Sequence, residues 1–278
     1  MTGRADLHLH TRCSDGSYEP RELVRLAHDL GFTVIAVTDH DTMSGVDDAA
    51  EEGVALGVRV IAGVELSTID ADMDTHILGL FVDHRNPALV QLTERAASER
   101  RERLVRMRKM LKDLGLDLSA EDVASDMEGG TVGRVHVAEA LVKHGMTGSI
   151  SEAFIRYLGR NRPAYVAKWS PVPEECCRVI HEAGGVAVFA HPGDVVDEQK
   201  IERMADAGCR AIEAYYPTYS KGLTETYVKI AQKLGIGVSG GSDCHGSRKG
   251  RVFIGSITLP MEHVDDLEKR RGPARVER

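Results

Sequence analysis

The stretch Thr33-Val34-Ile35-Ala36-Val37-Thr38-Asp39-His40-Asp41 decides the fold. Val34 to Val37 form an unbroken apolar run, the pattern of a strand covered on both faces, and ionisable residues crowd in directly after it. Upstream, PRELVRLAHDLG places Leu23, Leu26, Ala27 and Leu30 at helical spacing before Gly31 ends the helix. Downstream, DDAAEEGVALG reads as a helix, VRVIAGVELS as a buried strand and THILGLFVD as another. The alternation returns late in the chain, with a helix over Pro173 to Ala183 and then GVAVFAHPG, QKIERMADAG, CRAIEAYYP, GLTETYVKIAQKLG and IGVSGGSDCHG. Strands alternating with helices predict parallel pairing with the helices outside. Six or seven such units predict an α/β fold, a closed or nearly closed β/α barrel.

From about Pro87 to Pro163 the alternation stops. ALVQLTERAASERRERLVRMRKMLKDLG is one long helical pattern, with Leu104, Met107, Leu111 and Leu114 along one stripe. VHVAEALVKHG and SISEAFIRYLG add further helical pieces. Residues 87–163 therefore read as an inserted helical domain covering the active site of a barrel built from 1–86 and 164–278. The basic run from Arg95 to Lys112 reads mainly as a solvated helix face, and LEKRRGPARVER at the end as a mobile tail.

A net charge of −8 argues against a protein that coats nucleic acid, so any nucleotide is expected to be held locally. The five cysteines form no CxxC pair and suit reduced thiols in the cytoplasm. Neither an apolar leader nor a membrane-length apolar run is visible, so no membrane association is expected; no obligate protein partner is evident either.

Twelve histidines against one tryptophan point to a histidine-centred site. In Asp6-Leu7-His8-Leu9-His10 the two imidazoles share one face of an extended strand, with the leucines as packing positions and Asp6 as a possible partner behind them. His40, Glu65, His191, Asp243 and His245 each stand at or just beyond the end of a predicted strand, and Asp15 lies in the loop after the first. A β/α barrel gathers such residues in one pocket. His76 opens its apolar run instead of closing it, so only a local departure from the regular barrel brings it in. So many imidazoles and carboxylates in one place need cations to neutralise them. Mixed nitrogen and oxygen donors suit zinc, manganese or iron, as two or three divalent ions with a carboxylate such as Glu65 bridging. Cys13 and Cys244, beside these residues, read as small packing groups.

DLHLHTRCSDGSYEP, VTDHDT, AGVELS, the histidine of THILGL, FAHPG and GSDCHG together resemble the successive motifs of PHP-domain (polymerase and histidinol phosphatase type) metal-dependent phosphoesterases. The resemblance spans the chain and implies a distorted seven-stranded TIM-like barrel with a metal cluster at the strand C-termini. It implies one ion held by His8, His10, Glu65 and Asp243, a second by Glu65, His76 and His191, and a third by Asp15, His40 and His245. GRVHVAEALVKHG and YLGRNRPAYVAKW resemble stand-alone phosphatases acting on nucleoside 3′,5′-bisphosphates and AMP-like compounds, close to a bacterial 5′-3′ exoribonuclease. Val135 and Cys244 depart from that subgroup's pattern without touching a ligand position.

The expected chemistry is hydrolysis of a phosphomonoester of a small nucleotide by a metal-activated hydroxide, which needs no serine or cysteine nucleophile. Arg134, His136 and Lys168 are the expected substrate-phosphate contacts. Three alternatives compete: short RNA as substrate, an amidohydrolase, and a non-catalytic metal-binding module. An amidohydrolase would commonly bridge its metals with a carbamylated lysine, whereas here Glu65 takes that role and no lysine stands at a strand end.

Overall fold

The computed structural model describes residues 3–71, 73–124, 133–249 and 254–272. The chain divides into two compact units, Met1–Thr93 with Ser170–Arg278, and Glu94–Trp169.

The first unit is an α/β fold. Its strands are β1 (Ala5–Leu9), β2 (Val34–Val37), β3 (Arg59–Asp70), β4 (Met73–Leu80), β5 (Val186–Phe189), β6 (Ala211–Tyr215) and β7 (Gly237–Gly240), which lie side by side in chain order in one seven-stranded sheet. Outside it run α1 (Pro20–Asp29), α2 (Val46–Leu56), the start of α3 (Pro87–Asp113), and later α7 (Pro173–Glu182), α8 (Glu198–Asp206), α9 (Lys221–Leu234) and α10 (Met261–Lys269). β2 is buried at every position, as its unbroken apolar run requires. Within the sheet, Leu7, Val34, Ala36, Leu78, Leu80, Val186 and Val188 share one core, while Leu9, Ile35 and Val37 pack with Leu23, Val24 and Ala27 of α1 in another.

One feature departs from the sequence-based expectation, and one meets its nearly closed form. Pairing is not parallel throughout: β4 is antiparallel to both β3 and β5. THILGLFVD follows VRVIAGVELS with too short a connection for a crossover, so it folds straight back as a hairpin arm. The sheet curls without closing fully: no ladder joins β1 to β7, and the end of β1 meets the segment just beyond β7 through an isolated bridge between Leu9 and Cys244 and a hydrogen bond from His10 N–H to the Cys244 carbonyl at 3.1 Å. Gly241 permits this approach, since a Cβ there would lie 2.4 Å from the backbone nitrogen of His8.

The second unit holds the rest of α3, then α4 (Ala120–Ala124), α5 (Arg134–Lys143) and α6 (Ile150–Ala153), which continues as a π-helical turn over Phe154–Leu158. Met107, Leu111, Leu118, Val137, Leu141 and Leu158 form its core. Leu114, expected on the apolar stripe, lies beyond the end of α3 and is 45% exposed. The basic run is not simply a solvated face either. Arg103 is buried and donates to the Val166 carbonyl, Arg108 donates to that of Leu118, and Arg95 lies over the Trp169 ring at 4.2 Å. The first part of the expected tail is ordered, since Leu267 is fully buried on α10 and Arg270 pairs with Asp266; the rest, residues 273–278, lies outside the described part. Among the described residues no helix is long and apolar enough to cross a membrane.

Candidate metal centre

β1 delivers His8, His10 follows directly after its end, and both rings are fully buried. Their Nε2 atoms face each other at 3.1 Å. Glu65 Oε2, from the middle of β3, lies 3.2 Å from His8 Nε2 and 3.1 Å from His10 Nε2, and Asp243 Oδ1 lies 3.5 and 3.1 Å from the same two atoms. Asp243 sits beyond β7 with φ 49°, a left-handed conformation uncommon outside glycine and steadied here by its neighbours. One such hold is the Tyr216 hydroxyl, which donates to Oδ2 at 2.8 Å.

Glu65 turns its other oxygen toward a second set. Oε1 lies 2.8 Å from Nδ1 of His76 and 3.0 Å from Nε2 of His191, which are themselves 3.3 Å apart. The antiparallel course of β4 explains how His76 arrives. The start of β4 lies alongside the far end of β3, with His76 opposite Ser67, and its carbonyl accepts Ala190 N–H next to His191.

The third set surrounds Asp15. Its Oδ1 lies 3.0 Å from His245 Nε2 and 3.7 Å from His10 Nδ1, and its Oδ2 lies 3.9 Å from His40 Nε2. Asp39 holds this loop, accepting Thr11 N–H at 2.7 Å, the Thr11 hydroxyl at 2.6 Å and the Ser14 hydroxyl at 2.5 Å.

Donor atoms therefore converge in three sets that could each hold an ion: His8, His10, Glu65 and Asp243; His40, Glu65 and His76; and His10, Asp15, His40 and His245. His40 and His10 are shared between sets where the sequence reading gave each one role, and His191 enters through its contacts with Glu65 and His76. Arg134, His136 and Lys168 belong to the helical unit.

The local chemistry suits cations. The Nδ1 proton of His245 goes to the Asp243 carbonyl at 2.8 Å, so Nε2 turns its lone pair toward the Asp15 carboxylate, where no hydrogen bond is made. His10 Nδ1 is likewise buried without a hydrogen-bond partner. The two Nε2 atoms, 3.1 Å apart, both face the Glu65 and Asp243 carboxylates, so positive charge, as protons or as a metal ion, is favoured between them. Burial alone would push the Glu65 and Asp243 carboxyls up, but surrounding imidazoles, above all His40, His76 and His8 for Glu65, hold both well below the usual carboxylate range. Burial opposes a charged His10, yet Asp243 and Glu65 bring its pKa up to about 9. Beside the cluster lies a cavity of about 170 Å3 lined by His40, Glu65, His76, His191, Tyr216 and Asp243.

The profile of the PHP domain matches residues 6–168. This chain belongs to the PHP-domain family. A 3′,5′-nucleoside bisphosphate phosphatase of Chromobacterium violaceum is 32% identical over 276 residues, 94% of this chain and 92% of that one. A 5′-3′ exoribonuclease of Haemophilus influenzae is 38% identical over 193 residues, 69% of this chain and 70% of that one. A Bifidobacterium adolescentis crystal structure, provisionally described as a metal-dependent phosphoesterase, superposes with a TM-score of 0.82 at 29% identity and covers 100% of this chain and 99% of that one.

Three residues of this PHP-domain site escape the motif reading. Asp39 hides inside TDHD beside the more conspicuous His40. Tyr216 carries no metal-ligand signature at all. Glu213 is a lone carboxylate in the otherwise apolar and aromatic strand AIEAY, a signal the sequence did carry, since a buried charge needs a partner. Its Oε1 lies 3.0 Å from His8 Nδ1. Asp6, expected near the histidines, instead accepts the backbone N–H groups of His8 at 3.3 Å and Ser242 at 2.9 Å; burial pushes its carboxyl up to about 6.

Proposed function

We propose that this PHP-domain chain hydrolyses a phosphomonoester of a small nucleotide, a nucleoside 3′,5′-bisphosphate or an AMP-like compound, at a centre of two or three divalent ions. It is a hydrolase acting on phosphoester bonds, as its family and relatives are. The observation that carries the reading is the sharing of Glu65 between donor sets at the wall of a cavity of about 170 Å3. Divalent ions held there would neutralise phosphate oxygens and acidify a water molecule.

The chain's own residues prepare that chemistry. His8, His10, Glu65 and Asp243 would hold one ion, Glu65 with His76, His191 and His40 a second, and Asp15, His40 and His245, with His10, a third. Manganese, zinc or iron fits the mixture of imidazole and carboxylate. No lysine stands in the donor sets or the cavity wall among the described residues, so the bridge expected of an amidohydrolase has no candidate here. For the substrate's phosphates we assign Arg134, His136 and Lys168. The Arg134 guanidinium is held over the rings of Phe154 and Tyr165 at 5.7 and 5.6 Å, and Gly133 N–H donates to His136 Nδ1 at 2.9 Å, which leaves the proton of a neutral ring on Nε2. We place the chain in the cytoplasm, on its cysteine usage.

The likeness to an exoribonuclease supports short RNA as the second reading. The deciding assay is phosphate release by the manganese-loaded protein from nucleoside 3′,5′-bisphosphates, 5′-AMP and histidinol phosphate, set beside nucleotide release from a 5′-phosphorylated RNA oligomer. Fastest turnover of a bisphosphate or AMP supports the proposal. Preferred trimming of the oligomer selects the second reading, and ammonia from cyclic amides without phosphate from any ester would overturn both.

A further inference from the structure

Glu213 belongs to none of the three donor sets, yet it is fully buried and touches two residues of the cluster. Oε1 lies 3.0 Å from His8 Nδ1, and Oε2 accepts the backbone N–H of His191 at 2.7 Å. His191 has φ 26°, in the left-handed region that is uncommon for a residue other than glycine.

We propose that Glu213 is the positioning residue of the centre. Its carboxylate fixes the His8 proton on Nδ1, so that Nε2 offers its lone pair to the shared donor set. The same carboxylate pins the left-handed His191 backbone, so that the ring reaches Glu65 at 3.0 Å. The inference rests on the metal-centre reading and assigns a role to a residue outside the ligand set.

An ionised carboxylate only accepts, and a backbone N–H only donates, so Glu213 can satisfy His8 and His191 together only if His8 Nδ1 is the protonated nitrogen. A glutamine of the same shape has one acceptor and one donor end. If its oxygen keeps His191, its amide hydrogens face His8 Nδ1 and favour the tautomer protonated at Nε2, the atom 3.1 Å from His10 Nε2 and 3.2 Å from Glu65 Oε2. If its oxygen keeps His8, its amide hydrogens oppose the His191 N–H and the turn loosens. One of the two rings loses its aim in either case. Asp6 does not take this role here: its Oδ1 accepts the backbone N–H groups of His8 and Ser242, not a ring nitrogen.

The test titrates manganese into chelator-stripped wild type, Glu213→Gln and Glu213→Asp by calorimetry. Glu213→Gln should bind manganese about 10- to 100-fold more weakly, as outer partners of metal-ligating histidines typically do when changed, and Glu213→Asp should recover part of that loss. Glu213→Gln binding at wild-type affinity would overturn the inference. A wild-type chain that takes up no manganese or zinc overturns the metal reading instead. A second measurement needs no variant and decides the point even if Glu213→Gln does not fold: the 15N spectrum of the His8 ring in wild type at alkaline pH, stripped or zinc-loaded. Protonation at Nδ1 is expected; protonation at Nε2 overturns the assignment.

Discussion

His8 and His40 each present a ring nitrogen to the same oxygen, Glu65 Oε2, at the same 3.2 Å, yet they are driven in opposite directions. Burial disfavours charge on both. At His8 the anions Glu213, Glu65 and Asp243 override it and raise the imidazole well above its usual range. At His40 burial prevails, helped by His10 and His76 against Glu65 and Asp15, and the ring falls well below that range. The His8 side chain is 0% exposed and the His40 side chain 16%, on the wall of the cavity. Distance to one carboxylate therefore does not set the character of a ring; the balance of anions and imidazoles around it does. The His8 ring stands among three carboxylates in a closed space, and the His40 ring among imidazoles and carboxylates beside an open one.

The strongest way to break this contrast is to remove what the two ends share. Glu65→Ala should abolish both, with kcat for phosphate release falling by about 10³-fold or more and bound manganese falling with it; an active, metal-replete variant would end the shared-carboxylate account. His40→Ala should separate the ends. Turnover should fall about 10²-fold while manganese measured by atomic absorption persists at the His8 end, and equal loss of all metal would show that the ends do not act separately. Arg134→Ala should raise KM for nucleotides about tenfold, the effect of one charge-assisted hydrogen bond, with metal content unchanged; an unaltered KM would remove it from the substrate contacts. Tyr216→Phe should weaken manganese binding by about tenfold through its lost bond to Asp243, with little change in thermal unfolding of the stripped protein.

The smallest effect concerns a buried histidine with no part in the centre. His181 lies between the carbonyls of Gly208 and Gly185 at 2.9 and 3.3 Å, and burial lowers its pKa. The unfolded chain then takes up its proton first, near pH of about 6.5, while the folded chain resists. Stability should drop as pH falls below about 6.5 and level off once the folded ring is protonated too. His181→Gln should flatten that part of a urea-unfolding series; an unchanged slope would mean that other groups cause it.

How much of this the sequence disclosed depends on the kind of signal. Buried parallel strands announce themselves as apolar runs, so β2 and the residues just beyond it were legible. His76 was visible as a residue but not in its placement, because strand direction is set by connection length and pairing partner, which apolar periodicity does not encode. Glu213 was legible as a buried charge in AIEAY, yet its partner His8 lies 205 positions away and carries no trace of the pairing. Leu267 was lost among charged neighbours, since composition averages hide a single buried side chain at the end of an amphipathic helix.

The β3–β4 hairpin has a consequence for which changes this chain can tolerate. Asp70 pairs with Met73, and the register continues without a break through Ser67 opposite His76 to Gly63 opposite Leu80. Surface turns usually accept an inserted or deleted residue at little cost. Here a one-residue change that slipped the register would send every β4 side chain to the other face, and His76 with them. A length change between Asp70 and Met73 that slips the register would therefore cost this chain a candidate ligand as well as a turn.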